Sequence, residues 1–205
     1  GGGRGAQKRG AGAAHRRRGP PSEDSEFASL YTAAKTQLQR IRQLQLFLDV
    51  YDADGWKGAA REKLRPTAEL AETRRKIGAS KVAIRRVVEL LERSHGDKPL
   101  NPEDFDSDGE LDAEALFCSR CHSYDCDDDN DIVMCDGPCN RAYHLRCNQP
   151  PLTAADIPED EAEGWLCGAC DVKVAVLWDV NDQFGTSFYL DTPWADVLPE
   201  GPGEA

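Results

Sequence analysis

Four short stretches decide how this chain is read. They are Cys118-Ser119-Arg120-Cys121, Met134-Cys135-Asp136-Gly137-Pro138-Cys139, Tyr143-His144-Leu145-Arg146-Cys147 and Trp165-Leu166-Cys167-Gly168-Ala169-Cys170. Between the paired residues lie gaps of 13, four and 19 residues, giving the ligand order four Cys, one His, three Cys. A Cys-x2-Cys turn aims two sulfurs at one point, and zinc takes four tetrahedral N or S ligands, so eight such residues serve two ions. The stretch 118–170 is only 53 residues long, too short to be stable on its apolar core alone. Two structural metals supply the missing stabilisation, on the order of 10 kcal/mol each in model peptides.

Other uses of the thiols fit less well. Disulfides are disfavoured by the paired spacing, by the His in register and by the lack of a visible secretory signal. A catalytic zinc would keep an open position, whereas eight ligands fill two shells. Cys126 is the surplus thiol. His122 and Cys126 break the pair pattern and read as loop residues.

Working outward, the chain divides by composition. Of 205 residues, 25 are Lys or Arg and 37 Asp or Glu, a formal net charge of −12. Residues 1–95 carry a balance of +9 and residues 96–205 a balance of −21. Such a split points to modules with separate partners. No apolar run approaches the ~20 residues of a membrane helix; Val174–Trp178 is the longest pure stretch near the end. The single Met is Met134, so the chain is expected to be a piece of a longer protein.

Residues 1–21 are Gly, Ala, Arg and Pro with almost no apolar bulk, and are expected to be a disordered basic arm. Arg16-Arg17-Arg18 fits a nuclear localisation patch, a nucleic-acid contact or plain solvation. Residues 22–95 read as a helical hairpin. Ser22 or Ser25 can cap its start, and Phe27, Leu30, Ala34, Leu38, Ile41, Leu44, Leu48 and Tyr51 fall on one face. Asp54-Gly55 and Trp56-Lys57-Gly58 form the turn. Pro66 opens the second helix, where Leu70, Ile77, Ile84 and Leu91 recur at sevens beside Val87 and Val88. A dimer zipper is the alternative; Arg, Lys and Ser at the companion positions favour simple packing of one helix on the other. Residues 96–116 form an acidic linker with apolar anchors. Residues 117–172 are the zinc module, 173–199 an apolar flap packing on it or on the hairpin, and 200–205 a loose tail.

The Cys/His order is that of the PHD finger. Asp131-Ile132-Val133-Met134-Cys135-Asp136-Gly137, Ala142-Tyr143-His144, Pro150-Pro151-Leu152 and Gly164-Trp165-Leu166-Cys167 agree with it. Asp54-Gly55-Trp56-Lys57-Gly58, Glu62-Lys63-Leu64, Phe117-Cys118, Asp156-Ile157-Pro158, Asn181-Asp182, Gly185-Thr186 and Trp194 to Pro199 resemble the plant PHD-finger homeobox proteins of the pathogenesis-related homeodomain type. The similarity covers roughly residues 45–200. No homeodomain lies within these residues, so that family's DNA recognition is not carried over. The resemblance implies a small zinc-stabilised α+β finger with a two-stranded sheet, preceded by the α-helical hairpin. Its cross-brace implies that Cys118, Cys121, His144 and Cys147 hold one zinc and Cys135, Cys139, Cys167 and Cys170 the other. Trp165 is then a core aromatic.

The resemblance also implies a partner, the N-terminal tail of histone H3, and a nuclear, non-enzymatic role in transcription regulation. Ile132, Val133 and Met134 read as an edge strand to which a peptide can add. Asp125, Asp127, Asp128, Asp129 and Asp131 precede it and can pair with tail cations. Methyl-lysine readers of the family commonly place a Trp two residues before the ligand His. Ala142 stands there, so an unmodified lysine is expected. The alternatives are a RING-like ubiquitin ligase, which would place its His where Cys139 stands, and a structural interaction module that binds no histone. DNA is a possible partner through the basic arm or through a homeodomain elsewhere in the protein.

Overall fold

The computed structural model describes residues 6–7, 20–53, 64–93, 96–158 and 164–204. Most of the basic arm and the Asp54–Lys63 turn between the hairpin helices therefore lie outside the described residues. The elements are β1 (Ala6–Gln7), α1 (Ala28–Ala53), α2 (Leu64–Arg93), β2 (Glu110–Leu111), β3 (Ile132–Met134), β4 (Ala142–His144), α3 (Gly168–Phe184) and α4 (Trp194–Val197). β1 pairs antiparallel with β2, and β3 with β4 in the register Ile132 to His144, Val133 to Tyr143 and Met134 to Ala142.

The hairpin forms because each helix has one apolar stripe to hide. Ser25 leads into α1, its hydroxyl accepting from Phe27 N. Ala34, Leu38 and Ile41 are buried against Ile77, Ile84, Val87 and Leu91 of α2. Leu64 begins α2, so Pro66 falls in its first turn, where a missing N–H costs nothing. α3 packs on both helices and completes a three-helix core with Val172, Val174, Val176 and Val180. The same core includes Cys135, Cys167, Cys170, Tyr143 and Trp165 of the zinc module. Hairpin and finger thus share one interior.

Two expectations change here. The sequence reading begins the apolar flap at residue 173, but α3 starts at Gly168, between two candidate zinc ligands, and runs unbroken to Phe184. Its first turn is fixed by the Cys pair, and its Val-rich face is buried by the hairpin. The loose tail expected at 200–205 is, over 200–204, tied to α2. Lys81 pairs with Glu204 at 2.8 Å and Arg85 with Glu200 at 2.9 Å. Arg85 also donates to Leu198 O at 3.1 Å. Gly78 permits this approach, since a Cβ there would sit 2.2 Å from Glu204 O.

Buried cations lock the finger to the hairpin. Arg120 donates to Glu26 at 2.6 Å, to Asp97 and to Cys147 O at 3.0 Å, and lies over the Tyr143 ring. Tyr143 donates its hydroxyl to Asp97 at 3.0 Å. Arg141 reaches Glu92 O at 2.6 Å, satisfying a carbonyl in the last turn of α2 that has no helical partner. Lys173 pairs with Glu92 at 2.9 Å.

Two substitutions test this packing. Arg120→Met takes the guanidinium away from the buried Asp97 carboxylate and is expected to cost about 3 kcal/mol, read as a lower midpoint in denaturant unfolding of the zinc-loaded protein. Ser80 is buried between α2 positions 77 and 84, and its hydroxyl has no hydrogen-bond partner among the described residues. Ser80→Ala is therefore expected to raise stability by about 1 kcal/mol, visible in the same assay.

Candidate zinc centres and peptide edge

Each ligand pair is set by a local turn. Cys118 and Cys121 flank a tight turn in which His122 N donates to Cys118 O at 2.8 Å, and His122 takes a positive φ of 63°. Cys135 and Cys139 flank a second, which Asn140 ends at a φ of 49°. Both left-handed residues follow the second Cys of a pair, where the chain must reverse. β4 delivers His144, and the turn Leu145–Cys147 brings back Cys147. Cys167 is the N-cap of α3 and Cys170 sits in its first turn.

The structure gathers these residues into two groups. Cys118, Cys121, His144 and Cys147 form one, and Cys135, Cys139, Cys167 and Cys170 the other, with the ligand atoms of each all within 4.8 Å of one another. Alternate pairs along the chain thus interleave. Cys139 Sγ lies 3.8 Å from Cys167 Sγ, and His144 Nδ1 lies 3.3 Å from Cys121 Sγ and 3.8 Å from Cys147 Sγ. These spacings are near the ~3.6 Å edge of a tetrahedron drawn about zinc and far beyond the ~2.05 Å of a disulfide. His122 and Cys126 stand apart from both groups; Cys126 is exposed, its thiol donating to Tyr124 O at 3.7 Å.

The surroundings suit thiolate–metal chemistry. His144 Nε2 lies 2.9 Å from Asp125 O. Its proton is held there, which leaves Nδ1 free to coordinate. Gly137 N and Cys167 N donate to Cys135 Sγ at 3.3 and 3.2 Å, and such N–H bonds favour thiolate. Burial pushes the Cys118 thiol up, but backbone N–H groups of Cys121, His144 and Arg120 outweigh it and bring it down to about 7. Burial and the Cys118 charge push Cys147 up to about 12. In the second group Cys139 is driven down by hydrogen bonds from Cys135, Cys167 and Cys170, while Cys135 and Cys167 are driven up. Four adjacent thiols cannot all ionise alone; a dication lets them. The donor sets, three Cys with one His and four Cys, fit zinc and leave no open position, so the two ions are structural.

Trp165 belongs to the core. It is buried, meets the Tyr143 ring edge-on at 6.3 Å, and its backbone N–H donates to Asp136 Oδ2 at 2.7 Å.

The expected peptide-binding residues are placed unevenly. Ile132 and Val133 are half-buried, and β3 pairs only with β4 among the described residues. Asp127, Asp128 and Asp129 form an exposed turn, tied by Asp129 N donating to Asp127 Oδ1 at 3.0 Å. Asp131 is exposed, but its Oδ1 accepts from Ile132 N at 2.8 Å and its carbonyl from Leu145 N at 3.0 Å. Met134 differs from expectation. Its side chain is buried with Leu100, Leu111 and Ala142, because the acidic linker folds its anchors over that face of the sheet. Met134 can offer a peptide only its backbone. The sequence reading also missed Asp97 as the hub beneath Arg120 and Tyr143; an Asp in an acidic linker carries no signal of burial.

Comparison with known proteins agrees with this geometry. The model of the PHD-finger family matches residues 110–170. The chain therefore carries a PHD finger, with two Cys/His clusters that fit two zinc ions. Its wider likeness is to plant homeodomain proteins. It is 39% identical over 183 residues to Homeobox protein HAT3.1 of Arabidopsis thaliana, a match that spans 89% of this chain and 25% of that protein. It is 38% identical over 175 residues to the Pathogenesis-related homeodomain protein of Petroselinum crispum, 85% of this chain and 16% of that protein. A shorter match, 40% over 59 residues, is to the SWM histone demethylase complex subunit phf1 of Schizosaccharomyces pombe, 29% of this chain and 12% of that one. The chain thus spans a quarter or less of the length of these relatives. No solved structure matches it.

Metal analysis of the purified chain is expected to find two zinc ions per molecule, and a chelator is expected to unfold the finger. At Gly137 an added Cβ would lie 2.7 Å from Cys170 Sγ and 3.3 Å from Cys135 Sγ. Gly137→Ala is therefore expected to drop the zinc content to about one ion while sparing the site that contains His144.

Proposed function

We propose that the chain is a non-enzymatic chromatin reader whose finger binds the N-terminal tail of histone H3 with its lysine unmodified, in the nucleus, within a transcription regulator. The observation that carries this reading is the outer edge of β3, unpaired among the described residues and bordered by the exposed Asp127–Asp129 turn. An extended peptide adds to such an edge through main-chain hydrogen bonds, and carboxylates beside it select a cationic tail. Arg146 is the one cation paired to this turn among the described residues, a loose contact with Asp127 at 3.8 Å with both side chains exposed, so a tail lysine or arginine can displace it at little cost. The names of the relatives, a homeobox protein and a histone demethylase complex subunit, fit such work.

The choice of unmodified lysine follows from Ala142. Its side chain is fully buried under Leu100 and Leu111, so this position offers no aromatic wall for a quaternary cation. A RING-type ligase loses ground because the matching family model is the PHD finger. The module without histone binding keeps one support: the linker already covers the Met134 face of the sheet. DNA contact through the basic arm, or through a homeodomain like those the relatives' names record, belongs to the same proposed regulator.

Calorimetric titration of the zinc-loaded chain with H3 tail peptides tests the reading. The unmodified peptide is expected to bind at least several-fold tighter than the form trimethylated at its first lysine, and Asp128→Asn with Asp129→Asn to weaken it. Tighter binding of the trimethylated peptide would sink the lysine preference. No binding of either would favour the purely structural module.

A further inference from the structure

The basic arm and the acidic linker meet in the fold, and neither the candidate zinc centres nor the β3 edge uses that meeting. Ala6 and Gln7 of the arm form β1, which pairs antiparallel with Leu111 and Glu110 of β2. The segment that carries β2 is anchored to the finger. Leu111 is buried with Leu100, Met134 and Ala142. Phe105 also bridges to Leu111, and the turn between them is closed by Gly109 N donating to Asp106 O at 3.1 Å. The arm thus pairs with a strand that the finger itself holds in place.

The two segments are opposite in charge. Residues 1–21 have six Lys or Arg and no acid, and the stretch from Glu103 to Glu114 has seven Asp or Glu and no base. All seven acids are exposed, and none is ion-paired with a described residue. Asp106 and Asp112 accept from backbone N–H groups of their own turns, and Asp104 from Asn101. The carboxylates of Glu103, Asp108, Glu110 and Glu114 have no hydrogen-bond partner among the described residues. Arg4, Lys8 and Arg9 stand within two residues of the paired positions, so covalent geometry keeps each Cα within about 8 Å of β1.

A ladder of two residues is weak when its strands are separate molecules. Here both belong to one chain, and a tethered segment meets its dock at an effective concentration in the millimolar range. Attraction between six cations and seven carboxylates adds to the pairing and is screened by salt.

We propose that the acidic linker is the docking strip of this chain's own basic arm, held by main-chain pairing at β2 and by the four carboxylates that have no other partner, and that docking withholds the arm from polyanions. The second part rests on the DNA contact proposed above for the arm. The linker is then an intramolecular competitor: a nucleic acid takes the arm only by displacing it from β2, and its apparent affinity falls with the undocked fraction. This device is separate from the β3 edge and stands whether or not that edge takes a histone tail.

The test uses the zinc-loaded full chain and two variants. Ala6→Pro with Gln7→Pro removes both N–H groups of β1 and changes no charge. Glu103→Gln, Asp108→Asn, Glu110→Gln and Glu114→Gln together remove the four carboxylates and leave the turn-capping Asp106 and Asp112 in place. Amide hydrogen exchange at low salt is expected to show protection in the paired segments 6–7 and 110–111 of the wild type, lost from 6–7 in the carboxylate variant and from 110–111 in the proline variant. A DNA duplex of about 20 base pairs and arbitrary sequence is expected to bind both variants about tenfold tighter than the wild type, as for an arm docked nine-tenths of the time. Free-chain exchange at Ala6 and Gln7 in the wild type overturns the docking, and protection that grows with protein concentration assigns the pairing to a second copy and overturns it as well. Equal DNA binding by the wild type and the proline variant overturns the masking while the DNA reading stands. No DNA binding by any of the three sinks the DNA reading and the masking with it.

Discussion

Cys167 and Cys170 belong to two structures at once. They are the last two ligands of the all-cysteine cluster, and they are the N-cap and first turn of α3. Most of the fold follows from that overlap. A zinc held by Cys135, Cys139, Cys167 and Cys170 fixes where α3 starts and along which axis it leaves. α3 then carries Val172, Val174, Val176 and Val180 into the seam of the hairpin, which has no other cover of comparable size among the described residues. Tyr31 on α1 reinforces the alignment by donating to Asp179 of α3 at 3.1 Å. A finger alone would be a metal-held knot of little core; a hairpin alone would expose one side of its stripe. Joined through a shared helix, each supplies what the other lacks.

This overlap also explains why the zinc module is rigidly oriented. Arg120 sits between the two Cys of the first pair and reaches Glu26 ahead of α1, while Arg141 sits between the second pair and β4 and reaches the end of α2. Ligand turns are the stiffest parts of a small metal domain, so cations mounted on them transmit that stiffness to the helices. The β3 edge is thereby held in one direction relative to the hairpin.

How much of this could be read beforehand depends on how local the cause is. Metal ligation needs particular residue types at particular spacings, so Cys118 through Cys170 showed both the module and its cross-brace, the latter by family likeness. The hairpin was legible because one-sided burial writes a helical period into Phe27 to Tyr51 and Leu70 to Leu91. α3 was not. It is buried nearly all round, so its apolar residues show no period, and its β-branched Val residues lower helix propensity; tertiary packing decides its state. Asp97 and Glu204 were equally hidden, because a polar residue tied down by a distant partner looks the same in sequence as a solvated one. Met134 was placed on the right strand, but the anchors Leu100 and Leu111 that bury its side chain come from a segment read as linker.

The charge split takes on a different meaning once the five cations of the acidic half are followed. Lys98 lies over the Phe117 ring, Arg120 and Arg141 bind the hairpin's end groups, Lys173 pairs with Glu92, and Arg146 touches Asp127. Two basic residues of the other half are likewise engaged by the acidic one, Lys81 by Glu204 and Arg85 by Glu200. Opposed charge therefore serves first as internal cement between modules, and only the remainder faces outward. Zinc does not erase that remainder. Seven thiolates and two dications change the count by −3 with His144 neutral, so the metal-loaded acidic half stands at −24, from −21. Its exposed carboxylates include those of the linker from Glu103 to Glu114 and those of the Asp125–Asp131 loop beside β3. Beside the β3 edge that acidity would draw a cationic peptide and discourage an anionic one.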